Sequence, residues 1–227
     1  MNDPTISVFL DPPHATDNLV EKGQAALEYG KETIHVVVKE IYSFLAKSGK
    51  RTRLFEEVCE KLDLEPKQIH YLYSIRFIES EYRCFVNFLY DYRGIVDFLA
   101  EWQVQNIGTT ADVIATKSKV TGWLAKLRQF KFVAIMVMST DVHFVSKVFS
   151  KTTQSDSNTV LEYAKARKQY HASLTKSATV VGAEVESALD ELASGSFKEV
   201  KLCNCPVDIH ICICCICNTY IYRYMYT

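Results

Sequence analysis

One stretch, Ser74 to Trp102, constrains the fold of this chain more than any other. Its sequence is SIRFIESEYRCFVNFLYDYRGIVDFLAEW. The apolar side chains recur every three or four positions, which places them on one face of an α-helix. They are Ile75, Ile78, Tyr82, Phe85, Val86, Leu89, Tyr92, Val96 and Leu99, and the opposite face carries Glu79, Arg83, Asn87, Asp97 and Glu101. The stretch therefore predicts one amphipathic helix packed against a core.

The same periodicity continues over most of the chain. It predicts either one long helix over 18–45 or two consecutive helices that are broken near Gly30. It also predicts a helix between Ser48 and Pro66, a largely helical segment over 112–149, and a long helix over 159–192. Eight glycines and five prolines are few for a chain of 227 residues, which favours helices over a turn-rich β fold. We expect an all-α bundle of five to seven helices.

Two local patterns refine this prediction. Ser139-Thr140-Asp141 is a candidate break within 112–149, and the almost uniformly apolar Phe132 to Met138 must be buried on most sides. A buried strand is the alternative for that segment. Thr159 and Glu162 form a capping-box pattern at the start of the last long helix.

Composition divides the chain into three parts. Residues 1–17 are predicted to be a disordered N-terminal segment, 18–194 a single helical domain, and 195–227 an unstructured tail rich in Cys and Tyr. Six of the eight cysteines lie in the last 25 residues. The other two, Cys59 and Cys84, fall in helical patterns and are predicted to be buried thiols in a reducing compartment.

The tail from Cys203 to Thr227 has three interpretations. It could bind a metal through soft ligands, namely Cys203, Cys205, His210, Cys212, Cys214, Cys215 and Cys217. Its spacing is mostly C-x-C, however, unlike the C-x₂₋₄-C pairs of folded zinc modules. The Ile-Cys alternation also suits an edge strand or an acylated end. The third interpretation, which we favour, is translated simple-sequence DNA without a function.

Charge and targeting signals limit the function classes. With 26 basic and 27 acidic residues the formal net charge is −1, so the whole chain is not a polycation that coats nucleic acid or a membrane. Residues 1–18 have neither the basic region nor the apolar region of a signal peptide. No membrane span is expected, and we predict a nuclear or cytoplasmic protein that is not secreted.

Motifs for catalysis are missing. The sequence lacks G-x-x-x-x-G-K-[ST], G-x-G-x-x-G, G-x-S-x-G and H-E-x-x-H, which build the common phosphate, nucleophile and zinc-protease sites. His35 and His143 lie in apolar helical stretches and are predicted to be packed or hydrogen-bonded rather than metal ligands. Neighbouring acids such as Glu56-Glu57, Glu79 with Glu81, and Asp190-Glu191 are expected on solvated faces. We predict neither enzymatic activity nor a cofactor.

Basic residues offer a binding hypothesis. Lys47, Lys50, Arg51 and Arg53 bracket Gly49, and a second group forms a run without any acid from Val113 to Thr140. The candidate DNA contacts are Lys50, Arg51, Arg53, Lys117, Lys119, Lys126, Arg128 and Lys131. Such cations can neutralise phosphates, although cations on helices also serve solubility alone. Trp123, between Lys119 and Lys126, is predicted to be a core residue and not a base-stacking platform.

Three segments resemble a known family. IHVVVKEIYSFLAKSGKRTRLFEEVCEKL (34–62), SIRFIESEYRCFVNFLYDYRGIVDFL (74–99) and GWLAKLRQFKFVAIMVMSTDVHFVSKVF (122–149) are similar to the middle region of hAT-superfamily transposases, especially their domesticated, zinc-finger-protein-like vertebrate relatives. The resemblance covers about 34–192. It implies the helical insertion of an RNase H-like transposase, which in the family helps to hold transposon ends. The family's zinc-binding module is absent, and no residue matches its Asp, Asp, Glu triad.

The resemblance implies a catalytically inactive, transposase-derived helical fragment with a residual role in binding duplex DNA or protein. Its basic candidates are the runs Lys50 to Arg53 and Lys117 to Lys131. The alternatives are a protein-interaction scaffold whose surface is the 159–192 helix, and a gene-model fragment without a function. An active nuclease or a SUMO-ligase-like factor has no supporting feature in the sequence.

Overall fold

The computed structural model describes residues 29–67, 78–106, 108–153, 159–179 and 182–206. Within these ranges the fold is all-α, as predicted, apart from one short β-hairpin. A π-helical segment, Gly30–His35, leads into α1 (Val36–Ala46). The other helices are α2 (Gly49–Lys61), α3 (Ile78–Tyr90), α4 (Tyr92–Gln105), α5 (Ala111–Leu127), α6 (Phe130–Thr153), α7 (Val160–Thr179) and α8 (Ala183–Ala193). The hairpin consists of β1 (Ser196–Phe197) and β2 (Val200–Lys201).

Helix α6 is the centre of the fold, and α3, α5, α7, α8 and the π-helical segment all pack against it. Every residue from Phe132 to Thr140 is buried, as expected for a segment that is apolar all round. The predicted break at Ser139-Thr140-Asp141 was wrong. The hydroxyls of Ser139 and Thr140 donate to the backbone carbonyls one turn earlier, at 2.7 and 3.0 Å. These hydrogen bonds satisfy the buried hydroxyls within the helix, so the helix is not interrupted. The chain breaks instead at Arg128 and Gln129.

The single helix predicted over Ser74 to Trp102 was also wrong, because α3 ends at Tyr90 and α4 begins at Tyr92. Asp91 lies between them and is 2% exposed. Its Oδ1 accepts a hydrogen bond from the backbone N–H of Lys67 at 3.0 Å. The bend allows α3 to pack on α6 while α4 packs on α2 and α5. The predicted apolar face is otherwise buried wherever it is described, with Tyr82 and Val86 half-buried.

The described part of the first helical region favours the single-helix alternative, because no break occurs near Gly30. Tyr29 has α-helical backbone angles, and the π-helical segment Gly30–His35 continues directly into α1. Ser48, in extended conformation, separates α1 from α2. Helix α2 ends at Lys61, a few residues before Pro66. Residues 18–28 and 68–77, which include the first four residues of the predicted Ser74 to Trp102 helix, lie outside the described ranges.

The long helix predicted over 159–192 is two helices, with Gly182 as the extended N-cap of α8. Its start is as predicted, since the Thr159 N–H donates to Glu162 Oε2 at 2.7 Å and the Glu162 N–H donates to Thr159 Oγ1 at 3.3 Å. The break at Gly182 follows from Asp141 of α6. A Cβ at Gly182 would lie 2.3 Å from the Asp141 carboxylate, so only glycine fits this approach.

The ordered chain continues beyond the predicted domain boundary at residue 194. Gly195, at φ +75°, forms the turn that leads from α8 into the hairpin. Glycine adopts this positive φ without steric cost. Phe197, Val200 and Leu202 are buried, and the backbone of Cys203 pairs with that of Arg128 and Phe130. The prediction of an unstructured tail from 195 onward was therefore wrong for 195–206. The rest of the tail and residues 1–17 lie outside the described ranges.

Within the described residues, α6 alone has the length and composition of a membrane span. Of its most apolar 18 residues, 72% are buried inside the protein. Core helices of soluble domains have the same property, so α6 serves here as the central core helix.

Candidate functional site

The first basic cluster lies at the start of α2. Lys50 and Arg53 are exposed, whereas Arg51 is half-buried. The Arg51 guanidinium donates to the carbonyl of Phe44 at 3.0 Å and lies 3.9 Å from the centre of the Phe44 ring. Burial lowers the pKa of Arg51. Arg51 thus joins α2 to α1, which leaves Lys50 and Arg53 as the cations available to a ligand.

A cavity of about 730 Å³ opens beside this cluster. Its walls come from the start of α2, the end of α4 and the start of α5. The lining residues are Ser48, Gly49, Lys50, Arg51, Arg53, Leu54, Glu57, Trp102, Gln105, Asn106, Asp112, Val113 and Thr116. The cavity therefore connects the cations of α2 with the first turns of α5.

Helix α5 extends this surface. Asp112 and Thr116 line the cavity, and the three-and-four spacing continues from them through Lys119 and Trp123 to Lys126. Residues at this spacing lie along one flank of a helix. Lys119 is exposed and Lys126 half-buried. We call Lys50, Arg53, Lys119 and Lys126 the cation stripe.

Trp123 lies between Lys119 and Lys126 but belongs to the core, which confirms the prediction that it is a core residue. It is 6% exposed, its ring packs edge-on against Phe44 at 5.3 Å, and its Nε1–H donates to Glu40 Oε2 at 2.8 Å. The indole is thereby unavailable for stacking on a base. It anchors α5 to α1 and so fixes the position of the two lysines on either side of it.

Three other predicted contacts lie elsewhere. Lys117 is on the flank of α5 that also carries the buried Val120 and Leu124. Arg128 follows the end of α5 and lines a separate cavity of about 520 Å³ beside the hairpin. Lys131 Nζ lies 4.3 Å from the centre of the Tyr29 ring. The eight candidates thus do not form one surface.

The electrostatic balance of the stripe is positive but mixed. Glu57 and Asp112 line the same cavity as Lys50 and Arg53. In the described part of the chain, no ion pair engages any cation of the stripe. Four unpaired cations beside two acids leave the surface able to bind a polyanion in a salt-dependent way.

A second surface was not foreseen from the sequence. Phe144 and Val148, one turn apart on α6, are 50% and 51% exposed. They line an apolar cavity of about 180 Å³ between α6 and α7. The sequence pattern predicted only that 112–149 is helical, and no local signal distinguishes these two exposed apolar residues from the buried ones on the same helix.

The buried titratable groups are the remaining feature. His143 is fully buried, as predicted, and half-buried His35 packs edge-on against Phe85. Cys59 and Cys84 are both buried, also as predicted. The sequence did not indicate that Glu81, expected on a solvated face, lies 3.1 Å from His143 Nε2. Nor did it indicate that Asp91 is buried, which raises the pKa of its carboxyl to about 6.

No cluster of three or more His, Cys, Asp or Glu side chains with metal-binding geometry occurs among the residues that the structure describes. Cys203 and Cys205 are exposed there, and the other five ligands proposed for the tail lie outside the described ranges.

No protein family, curated protein or solved structure matches this chain. The resemblance to hAT transposases therefore stays a prediction.

Proposed function

We propose that this chain is a non-catalytic binding protein that holds the phosphate backbone of duplex DNA on the cation stripe. The observation that carries the proposal is the cavity that joins Lys50 and Arg53 to the flank of α5 bearing Lys119 and Lys126. Because α2 and α5 both pack within the helical core, the cations sit on fixed elements. The ancestry inferred from the hAT resemblance would account for such a role and belongs to the same proposal.

The length of the stripe along α5 supports a linear polyanion, such as the phosphate backbone of DNA, over a single small anion. The stripe is extended: Lys119 and Lys126 lie two helical turns apart, which corresponds to about 10 Å along α5. An extended row of cations fits a linear polyanion better than a single small anion does. Phosphate contacts of this kind confer affinity without sequence preference, so we expect non-specific, salt-dependent binding.

The test is fluorescence anisotropy of a labelled DNA duplex against the full chain at several salt concentrations. Wild-type affinity should fall as salt rises, and each lost phosphate contact should reduce the slope of log K against log salt by about 0.9. Reversing Lys50, Arg53, Lys119 and Lys126 to Glu should abolish binding.

A matched control reverses four other exposed cations on α6 and α7, Lys151, Lys165, Arg167 and Lys168. Both variants change the net charge equally, so loss of binding in the stripe variant alone supports the proposal. Salt-independent binding, or equal loss in both variants, would contradict it. Magnesium-dependent cleavage of the duplex would contradict its non-catalytic part.

A protein-interaction scaffold is the second candidate, supported by the exposed Phe144 and Val148 in the cavity between α6 and α7. At about 180 Å³ this cavity is smaller than the 300–1,000 Å³ typical of small-molecule sites. It suits one apolar side chain of an amphipathic helix from a partner, as in helix-in-groove recognition.

A peptide pair tests this second function. A labelled helical peptide with Leu at positions i, i+4 and i+7 should bind, while a scrambled peptide of the same composition should not. Phe144→Ser with Val148→Ser should remove binding. Val104→Ser with Ile114→Ser is the control, because these residues are also exposed, at 75% and 57%. Equal binding of both peptides would argue against the scaffold.

A further inference from the structure

A separate charged cavity lies beside the β-hairpin, apart from the cation stripe. Its volume is about 520 Å³, and its walls come from α4, the end of α5 and the hairpin. Arg93, Asp97, Arg128, Lys201 and Cys203 are among the residues that line it. We call it the hairpin cavity. Its volume is within the range of roughly 300–1,000 Å³ that is typical of small-molecule sites.

Backbone hydrogen bonds and apolar packing hold the walls of the hairpin cavity together. The N–H of Cys203 donates to the carbonyl of Arg128 at 2.7 Å, and the N–H of Phe130 donates to the carbonyl of Cys203 at 3.0 Å. The ring of Phe197 packs edge-on against buried Tyr92 of α4, with ring centres 5.2 Å apart. None of these contacts uses a charged side chain. The charges that line the cavity can therefore be changed without removing the contacts that hold the hairpin in place.

The hairpin cavity has an excess of positive charge. Arg93 binds both of its acids, since the guanidinium forms an ion pair with Asp97 at 3.8 Å and another with Glu199. Arg128 and Lys201 also line the cavity, and both are exposed. Within the described part of the chain, neither of these two cations forms an ion pair. Three cations against two acids leave one positive charge to be neutralised.

The same cavity has an apolar wall. Val96 of α4 lines it together with Val200 and Leu202 of the hairpin, and all three side chains are buried. A hydrocarbon group placed against this wall would displace water from apolar surface, which is favourable. An inorganic anion would leave that surface hydrated. The hairpin cavity thus combines an apolar wall with an uncompensated positive charge.

We propose that the hairpin cavity binds a small organic acid that has one carboxylate and an apolar body. The carboxylate lies on Arg128 and Lys201, because the planar guanidinium of arginine matches the two oxygens of a carboxylate. The apolar body lies against Val96, Val200 and Leu202. One carboxylate neutralises the remaining positive charge, whereas a phosphate monoester carries up to about two negative charges. This site lies apart from the cation stripe and does not depend on DNA binding.

Cys203 provides a reporter of binding within the cavity. Its thiol donates to the carbonyl of Arg128, with 3.1 Å between Sγ and O, so an acid that is bound on Arg128 covers the sulfur. Cys205 is also exposed, but it does not line the cavity, and its sulfur lies beside Gly195. Cys205 is therefore an internal control for Cys203.

The experiment measures alkylation of the full, reduced chain by iodoacetamide in the presence of octanoate, acetate or octanol. Tandem mass spectrometry assigns the modification to each cysteine. Octanoate should slow the modification of Cys203 and leave the rate at Cys205 unchanged. Acetate lacks the apolar body and octanol lacks the charge, so neither should protect Cys203 at the same concentration. Buried Cys59 should stay unmodified throughout, which shows that the acid does not unfold the protein.

Charge variants test the two cations. Arg128→Gln should raise the octanoate concentration that halves the rate at Cys203 by about tenfold, the loss expected for one hydrogen bond to a charged group. Lys201→Gln should raise it as well. Lys198→Gln, at an exposed position of the same hairpin, removes an equal charge and should leave it unchanged. Each variant is compared with and without octanoate, because loss of a nearby cation also alters the reactivity of the thiol itself.

A series of acids tests the apolar wall. From butanoate to octanoate, each added methylene should lower the concentration for half-protection by up to about fourfold, the effect of burying one methylene. Equal protection of Cys203 by acetate and octanoate, or by octanol and octanoate, would overturn the proposal. The absence of protection by octanoate would overturn it too, as would equal effects of Arg128→Gln and Lys198→Gln.

Discussion

The carboxylate of Asp141, in the middle of α6, accepts the backbone N–H of Glu184 at the start of α8, with 3.1 Å between Oδ1 and N. Its other oxygen accepts the N–H of Val185, also at 3.1 Å. Asp141 thus caps α8 from a residue 43 positions earlier in the chain. Desolvation raises the pKa of this carboxyl, although both N–H groups act in the opposite direction.

Replacing Asp141 with Ala should therefore release the start of α8. Capping side chains contribute about 0.5–2 kcal/mol to the free energy of unfolding. Because two N–H groups lose their acceptor here, we expect that free energy to decrease by an amount near the upper end of this range. Asp141→Asn keeps one acceptor and should cost less. Urea unfolding measures both, and Asp190→Ala, at an exposed position of α8, is the control. Equal effects of Asp141→Ala and Asp190→Ala would contradict the cap.

The contact between Asp141 and the start of α8 also shows why the sequence pattern did not predict the helix break at Gly182. Helical periodicity located nearly every described helix, because the spacing of apolar residues is a local property. The breaks at Asp91 and Gly182 depend on partners far along the chain, namely the N–H of Lys67 and the carboxylate of Asp141. A pattern read over one or two turns contains no information about such contacts.

The candidate site shows the same limit. The eight candidate cations were chosen by residue type alone. Residue type does not reveal that the Arg51 guanidinium already donates to the Phe44 carbonyl, or that the Lys131 ammonium lies over the Tyr29 ring. Periodicity could have placed Lys119 and Lys126 on one flank of α5. Their relation to Lys50 and Arg53 required the packing of α2 and α5 around a common cavity.

A second prediction concerns the crossing of α2 and α4. A Cβ on Gly94 would lie 2.8 Å from Sγ of Cys59, inside van der Waals contact. Gly94→Ala should destabilise the protein by about 1–3 kcal/mol, the usual range for overpacking. Cys59→Ala removes the sulfur, so the double variant should lose less than the sum of the single variants. Additive effects in chemical denaturation would show that the crossing relaxes by another route.

The thiols should differ widely in reactivity. Burial, together with the charges of Asp91 and Glu56, raises the pKa of Cys59 to about 11, and burial also raises the pKa of Cys84. Cys203 is exposed. Because the thiolate is the reactive form, alkylation of native protein at neutral pH should modify Cys203 at least about a hundredfold faster than Cys59.

Peptide mapping by mass spectrometry resolves the cysteines individually. All of them should react at similar rates in denaturant, which serves as the internal control. Native-state modification of Cys59 as fast as that of Cys203 would contradict its burial between α2 and α4.

The last prediction concerns Asp91, whose pKa burial raises to about 6 against the hydrogen bond from Lys67. An unfolded aspartate titrates near 3.9. The folded protein therefore binds more protons between about pH 4 and pH 6, so Asp91 makes stability fall as pH rises through this window. Relative to Asp91→Asn, the free energy of unfolding of the wild type should decrease by about 1–3 kcal/mol between pH 4 and pH 7.

The difference between the two proteins isolates Asp91, because other carboxyls with raised pKa values, such as those of Asp141 and Glu184, are common to both. Denaturant titrations across this range measure it, with exposed Asp190→Asn as the control. A constant difference between wild type and Asp91→Asn would mean that Asp91 does not titrate in the folded protein within this window.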